Sequence, residues 1–250
     1  DDAELTILYL HEINIKLADL ITKIRPLQTL VIAVDGVAPP AKLQQQRQRR
    51  YKEASGREDP PEDQRFNSSC VTPGTEMMKK IDANLVSWIA TNRELLPTTV
   101  IYSSHMVHGE GEHKIFNMIR HGLIADGDGV HAVYGLDADL NMLSLVSPFH
   151  DKIVLIREDL RDVVSIGALG RGIVDDMNGR LLPSPIDLQI DSRLAIQDFV
   201  LMCYLAGNDF LPRIFAFYDI GETIVLMIDI YHQAVTAKRE ALTRPDGQIN

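Results

Sequence analysis

Five consecutive apolar residues, Leu30 to Val34, closed by Asp35-Gly36, constrain this chain more than any other segment. A run this short, without polar alternation, is what a fully buried parallel strand shows. Open α/β sheets place their ligands at the carboxyl ends of such strands, and Asp35 stands at that end. Beyond Pro39-Pro40, Lys42, Gln46, Arg49 and Arg50 fall at i, i+4, i+7 and i+8, so on a helix the four side chains share one face. Two guanidinium forks, an ammonium and an amide donor suit a terminal phosphate. A solvated basic face is the ordinary reading of such a cluster. Its place beside a strand-end carboxylate argues for more.

Helical and strand-like patterns alternate along the rest of the chain. Leu5, Tyr9, Ile13, Leu17, Leu20, Ile21 and Ile24 repeat at helical spacing until Pro26. Thr75 to Ile89 predicts a second helix, with Trp88 on its apolar stripe as a core residue, and Thr99 to Tyr102 predicts a strand. Val130 to Gly135 and Lys152 to Ile156 read as further strands, and Leu194 to Leu205 as a helix ending at Gly207. Such alternation predicts the α/β class, a mainly parallel twisted sheet with helices on both faces. Ser55 to Gln64, rich in Gly, Pro and charge, is expected to be an exposed loop. A chain of 250 residues, 45% hydrophobic, is expected to fill a single domain over 1–250.

Charge and cysteine content narrow the function classes. A net charge of −10 argues against a protein that coats nucleic acid through a broadly basic surface. It is compatible with a nuclease whose acids hold metal and whose cations stand at the substrate entrance, and the segment from Lys42 to Lys52 contains five Lys or Arg and no acid. With only Cys70 and Cys203, a disulfide framework is not expected, and a reducing compartment, cytoplasm or nucleus, fits. No run approaches membrane-spanning length, so no membrane partner is expected, and the acidic start is not a signal peptide.

More acids follow the later strands. His108-Gly-Glu110-Gly-Glu112-His-Lys places two glutamates at the start of a predicted helix. Asp137 and Asp139 stand two apart after the Val130 to Gly135 strand and would project to one side of an extended chain. Asp209 follows the apolar helix. Singly, each is ordinary, as a helix-start acid or a turn residue. If the topology brings all six together, like charges about 4 Å apart repel by about 4 kcal/mol at an effective dielectric near 20. Cations would then be needed, and hard oxygen ligands in that number match two ions of Mg²⁺ or Mn²⁺, a pair that serves phosphodiester displacement.

The strings VDGVAPPAKLQQQRQRRY, FNSSCVTPGTE, HGEGEHKI, YGLDADLNML and LAGNDFLP, in this order, resemble the nuclease region of the Xrn family of 5′-to-3′ exoribonucleases from about Leu30 to about Tyr231. The resemblance implies a core like that of PIN and flap nucleases. It also implies metal-dependent, processive hydrolysis of single-stranded RNA bearing a 5′-monophosphate, and protein activators or RNA-decay factors as partners. On this reading Asp35, Glu110, Glu112, Asp137, Asp139 and Asp209 are the metal-binding and catalytic acids. Lys42, Gln46, Arg49 and Arg50 are the 5′-phosphate pocket, and His113 and Lys114 support the acids or the substrate.

One departure stands out. The family carries a further metal-binding Asp on its first strand, in a segment of the form LYLDMN, whereas Leu8 to Asn14 reads LYLHEIN, with His11 at the acid's place. The apolar stripe demands a helix there, so the expectation is that the true first strand lies upstream of Asp1 and that the chain is a fragment of a longer protein. A flap-endonuclease-like activity, or a non-catalytic RNA-binding or scaffold module with a degenerate site, are the alternative readings. His105 and His108 are expected to be surface or hydrogen-bonding groups, and no zinc is assigned to them.

Overall fold

In the computed structural model the apolar stripe from Leu5 forms helix α1 (Asp2–Ile24), and the chain turns at Arg25, held in the left-handed region at φ 53°, just before Pro26. The structure describes residues 2–55, 68–124, 128–158, 161–179, 191–208, 211, 219–238 and 240–250. Contacts cluster into two units, Asp1–Ala125 and Asp126–Asn250, which together would make up the expected single domain. Each is taken in turn.

In the first unit, β1 (Thr29–Ala33) pairs in parallel with β2 (Thr99–Ser103), Thr29 opposite Thr99 and Ala33 opposite Ser103. Helices α2 (Pro40–Ser55) and α3 (Glu76–Thr91) lie between the strands in sequence, and α4 (Gly111–Arg120) follows them. Pro40 occupies the first helical position of α2, where its missing N–H costs nothing. Thr75 caps α3 by accepting the Met78 N–H at 3.3 Å. Met77, Met78, Ile81 and Leu85 of α3 pack with Tyr9, Leu10, Ile13 and Leu17 of α1. Each such side chain, once buried, contributes about 1.5–3 kcal/mol. Trp88 is buried, as the stripe predicts. The LYLHEIN segment lies inside α1, so His11 stands on a helix.

A backbone ladder extends the parallel pair beyond its strands. Val34 N–H donates to the Ser103 carbonyl, Gly36 N–H to that of Gly109, and Gly109 N–H to that of Val37, each at 2.9 Å. The approach is so close that a Cβ on Gly36 would lie 1.8 Å from the Val107 carbonyl oxygen. Gly109 itself sits at φ 96°, a conformation L side chains rarely adopt. The buried Lys114 of α4 donates to the Val34 carbonyl at 2.6 Å and to that of Ser104 at 2.9 Å, so one ammonium closes both strand ends.

The second unit holds β3 (His131–Tyr134), α5 (Asp139–Leu145), β4 (Ile153–Ile156), β5 (Val163–Ser165), α6 (Ile166–Gly179), α7 (Ser192–Leu205) and α8 (Ile220–Lys238). Its sheet has the order β3-β4-β5, with β3 parallel to β4 and β5 antiparallel at the edge. The α/β class is present in both units. The antiparallel β5 is an addition that the sequence pattern did not predict. Asp191 caps α7 through the N–H groups of Arg193 and Leu194, and Gly207, at φ 99°, follows its end. Most of the Ser55 to Gln64 loop, from residue 56 onward, lies outside the described residues.

Asp198 organises the C-terminal part of this unit. Fully buried on α7, it accepts hydrogen bonds from Tyr231 Oη of α8 (2.7 Å), the N–H groups of Leu242 (2.9 Å) and Thr243 (2.8 Å), and Thr243 Oγ1 (2.5 Å). Burial first, and then the Asp198 carboxylate, push the Tyr231 phenol well above its usual range. The turn Arg244-Pro245-Asp246-Gly247, closed by Gly247 N–H to the Arg244 carbonyl at 2.8 Å, follows Thr243.

Two outcomes follow for stability. Asp198→Ala strands three buried donors and one half-buried one and is expected to cost at least about 3 kcal/mol, read as a lowered denaturant midpoint. Gly36→Ala forces the Val107 carbonyl aside and is expected to cost about 1–3 kcal/mol, whereas an unchanged midpoint would contradict the close approach.

Candidate functional site

The ladder brings two of the acid-bearing motifs together. Asp35, two residues past the end of β1 at Ala33, accepts the Gly111 N–H through Oδ1 at 2.6 Å, across 76 positions of sequence. Gly111 leaves room for this: a Cβ there would meet the Ala33 carbonyl oxygen at 2.9 Å and Asp35 Oδ1 at 3.2 Å. Glu110 is the residue before α4 and is buried, its carboxylate paired with the buried Lys42 at 3.1 Å. Its Oε2 is buried without a hydrogen-bond partner, and His113 Nε2 stands 3.9 Å away. Glu112 is half-buried in the first turn of α4. Burial pulls the Lys114 ammonium below its ordinary range, and the Asp35 charge acts against that. Lys114 therefore supports the acids from behind, by holding the strand ends.

The basic helix divides its expected phosphate ligands. A cleft of about 260 Å³ is lined by Gly36, Val37 and Ala38, by Leu43, Gln46, Arg47 and Arg50 of α2, and by Thr72 and Pro73. Gln46 and Arg50 line it as the sequence predicts, whereas Lys42 is turned to Glu110 and Arg49 is exposed outside the lining. Arg47, Thr72 and Pro73 are lining residues that the sequence reading did not single out. The signal was available for Arg47: Leu43, Gln46, Arg47 and Arg50 stand at i, i+3, i+4 and i+7, with apolar Leu43 marking the inward face.

In the second unit Asp137 and Asp139 do not lie along an extended chain. The backbone turns into α5 at Asp139, whose N–H approaches Asp137 Oδ1 at 3.4 Å, and Asp137 is exposed. The expected side-by-side projection is corrected to a strand-to-helix turn. That turn is tight, since a Cβ on Gly135 would meet Leu140 Cδ1 at 2.5 Å. Asp209 lies outside the described residues.

Among the described residues no group of three or more His, Cys, Asp or Glu stands ready to hold a metal ion. The first unit does present a partial set of the right chemistry. Asp35 and Glu110 are hard oxygen donors drawn together at the strand end, and one Glu110 oxygen is buried and unpartnered, which fits Mg²⁺ or Mn²⁺. His108 is exposed, whereas His105 is buried with neither ring nitrogen hydrogen-bonded among the described residues, correcting for His105 the expectation of a surface or hydrogen-bonding group. Burial pushes the Cys203 thiol up to about 11, so it is protonated near neutrality and no nucleophile there.

The chain is similar to known proteins over both units. Residues 189–250 match the family described as the Xrn1 helical domain. Human 5′-3′ exoribonuclease 1 is 35% identical over 225 residues, which cover 76% of this chain and 13% of that protein. The 5′-3′ exoribonuclease 1 of Saccharomyces cerevisiae is 31% identical over 268 residues, covering 92% of the chain and 17% of the relative. The 5′-3′ exoribonuclease 2 of the same yeast is 32% identical over 286 residues, covering 90% and 28%. The chain thus spans less than a third of the length of each of these relatives. Residues 4–159, which carry the joined Asp35 and Glu110 loops, the basic helix and the Asp137 turn, match the XRN 5′-3′ exonuclease N-terminus, and the chain belongs to the XRN family.

Proposed function

We propose that this chain is the nuclease part of a metal-dependent 5′-to-3′ exoribonuclease that degrades single-stranded, 5′-monophosphorylated RNA processively to mononucleotides. The observation that carries this reading is the pair of acids, Asp35 and Glu110, held beside a helix whose Gln46 and Arg50 line an acid-free cleft. The names of the relatives and metal dependence as a general property of the family support it.

A divalent cation, when bound, supplies charge neutralisation and an activated water. Asp35 and Glu110 would hold it in the first unit, with Mg²⁺ or Mn²⁺ as the ion and two ions as the complement. Glu112, Asp137, Asp139 and Asp209 are proposed as further ligands on the strength of the motifs they carry. The protein's own contribution is positioning. The cleft would seat the terminal phosphate, so that each cut, leaving a new 5′-phosphate, provides the next group to be seated. Lys42, expected among the phosphate ligands, also pairs with Glu110. Its ammonium, engaged by Glu110, fixes that carboxylate and tempers the charge gathered at the strand end.

Two experiments test these assignments in the full chain. Asp35→Asn keeps an acceptor for the Gly111 N–H while removing the charge. It is expected to lower Mg²⁺-dependent release of mononucleotides from 5′-phosphorylated RNA by at least about a hundredfold, the scale on which removing one charge-stabilising group acts. Decay that persists in this variant, or in EDTA, would remove the proposal. Lys42→Met leaves the buried Glu110 unpaired and is expected to cost about 3 kcal/mol or more of stability, recovered in part by adding Glu110→Gln. A Lys42→Met protein of unchanged stability that has lost only its preference for a 5′-phosphate would return Lys42 to the phosphate pocket.

A further inference from the structure

We infer that Arg157 is a positioning residue for the acids of the second unit: its guanidinium holds the turn that carries Asp137 and Asp139 and thereby sets how well the chain binds a divalent cation. This rests on the proposed function, in which those acids are metal ligands, and deepens it at a residue outside the motifs that carry them. Arg157 stands directly after β4, and its Nη2 donates to the Leu136 carbonyl at 2.7 Å. That carbonyl belongs to the planar peptide that enters Asp137, so the bond fixes the backbone from which the carboxylate projects.

The far side of the turn is secured by packing. Leu140 is buried, so close beneath Gly135 that a Cβ there would lie 2.5 Å from its Cδ1, and Asn141 N–H donates to the Ala138 carbonyl at 3.1 Å. The near side is secured by β4. Gly135 N–H donates to the Ile156 carbonyl at 3.1 Å, past the end of β3, and the Arg157 side chain then takes the carbonyl one residue further on. Arg157 is itself held in place: its own N–H donates to the Asp162 carbonyl at 3.0 Å, and β5 pairs Val163 with Ile156. The antiparallel edge strand thus has a use in presenting this side chain. Because the guanidinium engages a carbonyl, it lends positive charge to a turn bearing two acids, easing their repulsion, while leaving the exposed Asp137 carboxylate open to a cation.

The test is Mn²⁺ binding by isothermal titration calorimetry on the full chain and on its Arg157→Met, Arg157→Lys and Asp137→Asn variants, with the melting temperature recorded for each. Arg157→Met is expected to weaken Mn²⁺ binding about tenfold, the lower end of what removing a group that orients a metal ligand costs. The Mg²⁺ concentration at half-maximal release of mononucleotides should rise by the same factor, with the KM for RNA unchanged. The melting temperature should move little, because the bond is exposed. The bond uses one N–H of the fork, so Arg157→Lys, which keeps a donor on a similar stem, should restore most of the affinity. Mn²⁺ affinity that is unchanged in Arg157→Met, that is lost equally in Arg157→Lys, or that rises once the positive charge is removed overturns the inference and leaves the proposed function standing. So does an Arg157→Met chain that fails to fold, since that outcome makes the residue a general support of the unit. An Asp137→Asn chain that binds Mn²⁺ as the native chain does, or a native chain that binds none, overturns the inference through the reading on which it rests.

Discussion

A ladder of backbone hydrogen bonds between the segment leaving β1 and the segment entering α4 holds the first unit's site together. Its rungs run from Val34 to Ser103, Gly36 to Gly109 and Gly109 to Val37, and Asp35 adds a side-chain rung to the Gly111 N–H. No side chain is needed at the glycines, and at Gly36 none could be accommodated. The VDG and GEGE motifs are therefore two halves of one construction. The aspartate can accept the Gly111 amide only because Gly36 lets the backbones meet, and Glu110 is carried to the same place as the residue before that amide. Lys114 completes the arrangement from the helix side by donating to the carbonyls of Val34 and Ser104, the second of which also accepts the Val107 N–H.

Electrostatics then decides which cations face which anions. The Lys42 and Glu110 side chains are 7% and 6% exposed, so each would be costly to bury alone. Their pairing gives Glu110 a defined position. The remaining cations of α2 stay exposed, where an arginine pays little for its charge and keeps its fork free. One helix thereby has two electrostatic duties on adjacent faces, neutralising a buried acid and lining a cleft.

Much of this was legible in the sequence because it depends on local rules. The helical stripe of Leu5 to Ile24, the Thr75 to Ile89 helix and the Leu30 to Val34 strand are set by periodicity, and the structure has them within about three residues. The acids at strand ends were visible for the same reason. What escaped depends on tertiary contact. Helix α6 contains Gly167, Gly170, Gly172 and Gly179, a poor composition for a helix, but a Cβ on Gly167 would press on the backbone of Asp151 at 3.0 Å and one on Gly170 on Ile196 at 3.2 Å. Close packing, not propensity, selects Gly167 and Gly170, whereas a Cβ on Gly172 would meet nothing within 4 Å. The rotation of α2 escaped in the same way: spacing shows which residues share a face, and only the walls around the helix, Gly36 to Ala38 and Thr72 to Pro73, show which face is used. The Asp137 turn is a third case, since a pair two apart projects to one side only while the chain stays extended, and here the helix begins at its second member.

A chain of net charge −10 is a poor general ligand for a polyanion, and that suits the reading of its site. Affinity spread over many phosphates would hold a strand anywhere along its length, with nothing to mark an end. Cations gathered in one acid-free stretch, Lys42 to Lys52, act differently. An internal phosphodiester carries one charge and is flanked by sugar on both sides, whereas a terminal monophosphate carries nearly two and is free on one side. On the proposed function, a small cleft lined by guanidinium groups would discriminate between them by both charge and access. On that proposal the acidic balance of the whole chain would work with the basic stretch, by leaving few other places for a polyanion.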